Sequence, residues 1–388
     1  MKEFTCGLPG EIVFGQNKLQ GLPKIIGGLG KKCLLVADPF FVQSGLCEEI
    51  AGILKKGGIQ SVTFSKVSPN PRCHDIDEGA ALCKKEGCEF VLAVGGGSGI
   101  DTGKAIAVVV KNGGGSWEYV YRTDREIRPV KEALPVVVIP TTSGTGTEAT
   151  AYSVLSNPDV HEKGTIISNL IFPRYAIVDP SLMESMPPAL TALTGIDALA
   201  HCMEAFLANI ASPFSSMVAK EGIRVIARNL PEAVANGKNR EARAAMAWGS
   251  VLGGIAIGHA GVGLPHAMGQ PVGGIVNAPH GGSVAACLAQ VVAYSFMSSF
   301  PLYGELAVCL DESAASLPLY ARAEKSVELI NRLFGYVGCR VKYSDYGMKE
   351  SDIDHAVDVA FKGYGDNIQN FPRIATPQEV KALYRQCL

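Results

Sequence analysis

Short apolar runs separated by turn residues mark the first half of the chain. Cys33–Ala37 (CLLVA), Phe90–Val94 (FVLAV), Pro135–Ile139 (PVVVI) and Tyr175–Val178 (YAIV) each read as a buried strand. Each is followed by a break: Asp38-Pro39, Gly95–Gly97, Pro140-Thr141-Thr142 and Asp179-Pro180. Strands that alternate with helix-like segments predict a mainly parallel sheet covered by helices. After Pro188 the texture changes. Alanine-rich segments such as Ala189–Ala211 and Glu241–Ala256 take over, and they predict an all-helical second domain. The Met186-Pro187-Pro188 step is the expected boundary, because the residue before a proline is steered away from helix. The domains are therefore expected at 1–186 and 187–388.

Composition narrows the classes. With 388 residues, 47% hydrophobic and 19% charged, the chain can fill two cores and leaves little for disorder. A formal net charge of -2 offers no large basic surface, so nucleic acid and anionic membranes are not expected partners. No run of about 18 uninterrupted apolar residues predicts a membrane span. No long apolar run follows Met1–Cys6, which argues against a secretory signal. The 11 cysteines are odd in number and scattered from Cys6 to Cys387, which fits buried thiols in a reducing cytoplasm better than a disulfide framework.

Gly95-Gly96-Gly97-Ser98-Gly99-Ile100-Asp101-Thr102-Gly103-Lys104 follows a strand and opens a helix. Glycines there let the backbone approach a phosphate, which the unpaired N–H groups of the first helical turn can bind. The loop is neither common fingerprint: Ile100 stands where G-x-G-x-x-G needs its last glycine, and Ser98 and Ala105 spoil a P-loop. Phosphate binding is supported without saying which phosphate. Asp38 closes the earlier strand, where open parallel sheets bind ligands. A carboxylate there can accept hydrogen bonds from an adenosine ribose and would repel a 2′-phosphate. Pro140–Glu148 (PTTSGTGTE) is a second polar loop whose hydroxyls suit sugar or phosphate.

Asp197 and His201 are four apart in a helix-like segment, so both could reach one cation; a buried Asp–His ion pair would give the same spacing. His266 and His280 add two more imidazoles. They are 14 residues apart, roughly 21 Å along a straight helix, so the chain between them must fold back to share an ion. Pro271, Gly273, Gly274 and Pro279 supply breaks in that interval. One helix carrying His266, a turn, and His280 at the next helix start would satisfy the geometry. One carboxylate with three imidazoles suits Fe(II), Zn(II), Mn, Co or Ni.

Gly95–Ala105, Pro140–Thr150, Thr194–Phe206 (TGIDALAHCMEAF) and Leu264–Gly282 (LPHAMGQPVGGIVNAPHGG) together resemble, in order and spacing, the iron-containing (group III) alcohol dehydrogenases. Val67–Pro71, Asp179-Pro180 and Asn370–Arg373 resemble that family too. The resemblance implies a dehydroquinate synthase-like fold: an α/β dinucleotide-binding domain and an all-α domain, with metal and nicotinamide in the cleft between. It implies metal ligands Asp197, His201, His266 and His280, holding Fe(II) first and Zn(II) as the alternative. It implies NAD contacts at Asp38, Asn70, Gly96, Gly97, Ser98, Asp101, Thr141, Thr142, Thr145 and Lys163. The expected activity is hydride transfer between a metal-bound alcohol or aldehyde and NAD(H), in a cytoplasmic homodimer or higher homo-oligomer. Many members carry a further histidine four residues after the third ligand; here it is Gln270, which cannot exchange a proton. His259 lies about two turns before His266 and is the candidate to replace it. The small residues Ala260, Gly261, Ala267 and Gly269 suggest room beside the metal.

Two other classes are open. Sugar-phosphate cyclases of the non-redox lyase type share the fold and use NAD with zinc, but their phosphorylated substrates need Lys and Arg groups, and Gly253–Gly282 has none. A non-catalytic relative would be expected to have lost some of the four ligands.

Overall fold

The computed structural model describes residues 3–122 and 126–388. It divides into an α/β unit, Gly7–Thr142 with Thr147–Met183, and a helical unit that comprises Glu184–Leu388 and takes in residues 3–6 and Ser143–Gly146.

The α/β unit runs β1 (Glu11–Phe14), α1 (Leu22–Ile26), β2 (Lys32–Ala37), α2 (Pro39–Gln43), α3 (Leu46–Lys56), β3 (Gln60–Phe64), α4 (Cys73–Lys85), β4 (Phe90–Gly95), α5 (Gly97–Asn112), β5 (Val136–Pro140), β6 (Tyr152–Asn157), β7 (Glu162–Ile167) and β8 (Tyr175–Val178). Six strands form one parallel sheet in the order β1-β8-β5-β4-β2-β3. The four apolar runs of the sequence are β2, β4, β5 and β8, the inner strands, buried along nearly their whole length. The two edge strands carry no such signal. β3 reads QSVTF and buries only Phe64, and β1 has four residues and no fully buried one. The antiparallel hairpin β6–β7 forms a second sheet. It alternates buried and half-buried positions, so a search for continuous apolar runs passes over it.

The chain steps from β2 outward to β3, then returns to place β4 on the other side of β2. The strand order therefore reverses between β2 and β4, and the carboxyl ends of those strands are where such sheets bind ligands. The register aligns Ala37 with Val94 and Gly95 with Pro140, so Asp38, the glycine loop and Thr141 follow three adjacent strands at one end of the sheet.

α5 is fixed beneath that end by a buried ammonium. Lys104 is fully buried, and its Nζ donates to the carbonyls of Thr147 (2.7 Å), Thr150 (2.9 Å) and Tyr152 (2.9 Å) and to the Thr147 hydroxyl (2.9 Å). Three residues earlier on the helix, Asp101 accepts from the Thr147 hydroxyl (2.6 Å) and from the Val154 N–H (2.9 Å). Burial pulls the ammonium down to about 8 while Asp101 and Glu148 pull it back up. These contacts staple the 147–154 segment onto α5.

The helical unit consists of α6 (Pro188–Leu207), α7 (Pro213–Ala235), α8 (Arg240–Ala260), α9 (Leu264–Ile275), α10 (His280–Ser295), α11 (Phe300–Leu310), α12 (Leu319–Tyr336), α13 (Ile353–Gln369) and α14 (Pro377–Gln386). α6 is its central rod: every residue from Gly195 to Leu207 is buried. A helix apolar on all sides belongs inside a large core. Close neighbours need small residues. A Cβ on Gly222 of α7 would stand 2.4 Å from the Cys202 sulfur of α6. By length and composition α6 and His280–Ser298 could each cross a bilayer, but 83% of the α6 window is buried inside the protein, and 50% of the other. The α6 window also contains Asp197, His201 and Glu204, all buried.

Replacing Lys104 with methionine takes a donor from four oxygens in a water-free site. The expected result is a loss of about 3 kcal/mol or more in urea unfolding, the scale for leaving buried polar partners unmatched; a loss below about 1 kcal/mol would show that the staple is not needed.

Candidate active site

α6 supplies Asp197 and His201, one helical turn apart on one face. α9 supplies His266 in its first turn. The fold-back to His280 takes place at 276–279, where α9 ends, Asn277 adopts a left-handed φ of 54°, and Pro279 caps α10, whose first residue is His280. Pro271 and the glycines at 273 and 274, expected to break the chain, lie inside α9. Proline there forfeits only one helical N–H bond, so the turn waits for Asn277 and Pro279.

The four side chains converge. One ligand atom from each of Asp197, His201, His266 and His280 lies within 4.8 Å of the others. The Nε2 atoms of His266 and His280 each stand 3.6 Å from Asp197 Oδ1, and that of His201 stands 4.0 Å away. The His201 and His266 rings stack at 4.6 Å. Asp197 Oδ1 and His266 Nε2 are buried and make no hydrogen bond. The other ring nitrogens explain their orientation. His201 Nδ1 donates to the Gly144 carbonyl (3.3 Å), and His266 Nδ1 faces Glu204 Oε1 at 2.6 Å. Each Nε2 is thereby turned toward the carboxylate.

The local field favours a cation. Asp197 is fully buried; burial works against its charge, but His280, His201 and His266 together hold its carboxyl far below the usual range. Burial lowers the His201 imidazole, with Asp197 opposing. Burial would lower His266 as well, yet Glu204 and Asp197 overcome it and raise the ring to about 10. A divalent metal fits this set of donors: unpartnered lone pairs, borderline-hard chemistry, and buried negative charge that lacks a Lys or Arg between Gly253 and Gly282. Glu204 was not among the residues singled out from sequence, although Asp197, His201 and Glu204 at i, i+4 and i+7 share one helical stripe.

Of the cofactor-directed residues, Asp38, Gly96, Gly97, Ser98, Thr141 and Thr142 follow adjacent strands at one end of the sheet. Gly96 precedes α5 with no side-chain cap, leaving the first N–H groups of the helix, at Gly97 and Ser98, for a ligand. A Cβ on Gly96 would meet the Thr142 hydroxyl at 3.1 Å, so Gly96 and Thr142 line one narrow spot. The Thr141 hydroxyl is buried without a hydrogen bond. Asn70 has a left-handed φ of 56°, and its Oδ1 accepts from Lys163 Nζ at 2.9 Å. Asp38 caps α2, accepting from the Phe40 N–H at 2.8 Å. A pyrophosphate and ribose fit this array of open donors and hydroxyls. Asp101 is placed differently, with its two oxygens on Thr147 and Val154. Thr145 belongs to Ser143–Gly146, which packs with the helical unit.

Gln270 lies four residues after His266 on α9, so it shares that face; it is buried, and its Oε1 makes no hydrogen bond. His259 donates Nδ1–H to the Ile255 carbonyl (2.8 Å) and sets its ring edge against Phe214 at 4.9 Å. The small residues near the ligands do not mark open space: a Cβ on Gly269 would touch the Ser283–Val284 backbone at 3.2 Å, and one on Gly261 would touch Asn370 Nδ2 at 3.2 Å. Their smallness serves close packing.

Comparison with known proteins agrees. The profile described as iron-containing alcohol dehydrogenase matches residues 9–180, and that of the Fe-containing alcohol dehydrogenase family, C-terminal, matches 191–388. The chain is 34% identical to the NAD-dependent methanol dehydrogenase of Bacillus methanolicus over 98% of this chain and 99% of that protein. It is 35% identical to the 1,3-propanediol dehydrogenase of Klebsiella pneumoniae, over 99% of this chain and 98% of that one. The crystal structure of an archaeal halo-thermophilic Red Sea brine pool alcohol dehydrogenase superposes with a TM-score of 0.95 at 30% identity, covering 100% of both chains. Relatives named for methanol and 1,3-propanediol dehydrogenation do not favour the lyase alternative. This chain belongs to the iron-containing alcohol dehydrogenase family.

Proposed function

We propose that the chain oxidises short primary alcohols or diols with NAD+ and, in reverse, reduces the matching aldehydes. Its class is that of a metal-dependent, NAD-linked alcohol dehydrogenase. The observation that carries this reading is the convergence of Asp197, His201, His266 and His280 on one point. The short-chain range draws on relatives named for methanol and 1,3-propanediol.

The balanced conversion is alcohol and NAD+ to aldehyde, NADH and H+; a bound NAD would supply the hydride acceptor, and the hydroxyl proton leaves to water. A bound divalent metal supplies Lewis acidity that lowers the pKa of an alcohol hydroxyl. The chain supplies the rest. Asp197 and the three imidazoles hold the ion, with lone pairs already aimed by Gly144 and Glu204. Gly96, Gly97, Ser98, Thr141 and Thr142 receive the pyrophosphate and adjacent sugar, and Asn70 and Lys163 act as a pair beside them. Asp38 accepts from the adenosine ribose and repels the 2′-phosphate of NADP. Gln270 offers the reacting hydroxyl a neutral hydrogen-bonding amide; it cannot carry a proton. We also take the chain to work in a reducing cytoplasm, on the support of its eleven free cysteines, ten of them buried, and as a homo-oligomer, on the support of the family resemblance alone.

Anaerobic purification, metal analysis and assay of NADH formation with short alcohols and diols, after Fe(II) or Zn(II) is added back, test this reading. His280→Ala is expected to abolish metal retention and lower kcat/KM by at least a thousandfold; NADH formation that persists without metal would overturn it. Asp38→Asn keeps the cap on α2 but removes the charge. The NADP+/NAD+ ratio of kcat/KM should rise tenfold or more, the scale of one partly screened charge pair. An unchanged ratio would remove Asp38 from cofactor selection. Gln270→Leu should lower kcat/KM about tenfold or more with metal content unchanged, as a lost hydrogen bond in a dry site does.

A further inference from the structure

Glu204 serves two structures at once. It projects from α6, three residues after His201, and is 1% exposed. Its Oε1 faces His266 Nδ1 at 2.6 Å. Its Oε2 accepts from the Gly263 N–H at 2.6 Å and the His266 N–H at 3.3 Å. Those N–H groups stand at the start of α9, whose N-cap, Gly263, has no side chain to satisfy them. A carboxylate from another helix supplies the missing cap, and the helix dipole there favours its negative charge.

We propose that Glu204 is the positioning residue of the metal centre: by capping α9 it is locked in place, and from that place it fixes His266 as the Nδ1–H tautomer, leaving Nε2 as a bare donor. This rests on the metal-centre reading above. The two oxygens are not interchangeable in what they meet. The backbone side presents only N–H groups, so it always demands an acceptor, and the remaining oxygen is all that His266 can see. With Oε2 taken by two backbone N–H groups, Oε1 is the acceptor that stands 2.6 Å from the ring, and the ring meets it with Nδ1–H. Nε2, on the side of Asp197 Oδ1 at 3.6 Å, is then the ring nitrogen that would give up its proton to a metal ion. Partners of this kind on ligating histidines are worth tenfold to a hundredfold in metal affinity.

The argument makes a sharp statement about Glu204→Gln. The amide has one acceptor and one donor end. The N–H groups of Gly263 and His266 claim the oxygen, which turns the NH2 toward His266 Nδ1. That nitrogen must become the acceptor, the proton moves to Nε2, and the ligand atom is blocked. The loss therefore acts through His266.

The test is a double-mutant cycle on the metal-stripped full-length chain, read as the Kd for Co(II) in competition with a chromophoric chelator. E204Q is expected to weaken Co(II) binding tenfold to a hundredfold in the otherwise native chain, and less than twofold when H266A is already present. Losses that multiply in full in the double variant would assign Glu204 a general structural role and overturn the proposal. H266A alone leaving the Kd unchanged would overturn both this proposal and the metal-centre reading beneath it. If E204Q fails to fold, the Zn(II)-loaded native chain with 15N-labelled histidine decides: the His266 resonance, assigned by its disappearance in H266A, should carry a protected Nδ1 proton. A proton on Nε2 instead would overturn the proposal.

Discussion

Two carboxylates buried on one helix set the terms for the helical unit. Asp197 and Glu204 sit two turns apart on α6, with His201 between them, in a segment where every neighbour is buried. Carboxylates removed from water need charge or hydrogen bonds in return. The surrounding structure answers each differently. Glu204 receives the N–H groups that open α9 together with the His266 ring. Asp197 Oδ1 receives no hydrogen bond and is instead ringed by three Nε2 atoms at 3.6–4.0 Å. One acid completes a scaffold, and the other completes a cation site. The start of α9, the reversal at 276–279 and the approach of Gly144 to His201 all follow from bringing imidazoles to that one oxygen.

The α/β unit solves the complementary problem, that of holding an anion and a sugar with backbone and hydroxyls. Its sheet changes direction between β2 and β4, so Asp38 and the glycine loop end side by side, with Thr141 on the next strand. The loop keeps its shape because α5 is pinned from below, where the Lys104 ammonium and the Asp101 carboxylate grip the segment that follows Gly146. The polar side chains of the glycine motif therefore divide: Asp101 and Lys104 hold the frame, while the backbone at Gly97 and Ser98 stays available.

The sequence made some of this legible and hid the rest for physical reasons. β2, β4, β5 and β8 were readable because inner parallel strands are buried on both faces and so are continuously apolar. β1 and β3 lie at the sheet edges, and their mixed composition resembles loop. The need for a reversal between His266 and His280 could be derived from helical rise, but its position could not. Pro271 announces a break and is tolerated inside α9, whereas Asn277, which adopts the left-handed conformation, gives a weaker signal. Glu204 was concealed by its neighbours. In CMEAF it reads as one polar residue in a core helix, and its meaning depends on Gly263, 59 positions away in the chain. Gly261 and Gly269 misled in the opposite direction, because small residues look alike whether they open a pocket or admit a neighbouring helix.

The central claim is that one divalent ion is held jointly by α6, α9 and the first residue of α10. Anomalous diffraction at the zinc or iron absorption edge, from crystals of the full-length chain loaded with that metal, tests it most directly. The account predicts one strong peak within about 2.0–2.2 Å of Asp197 and of the Nε2 atoms of His201, His266 and His280. A peak that engages none or only one of these four, or no peak at full metal loading, would contradict it.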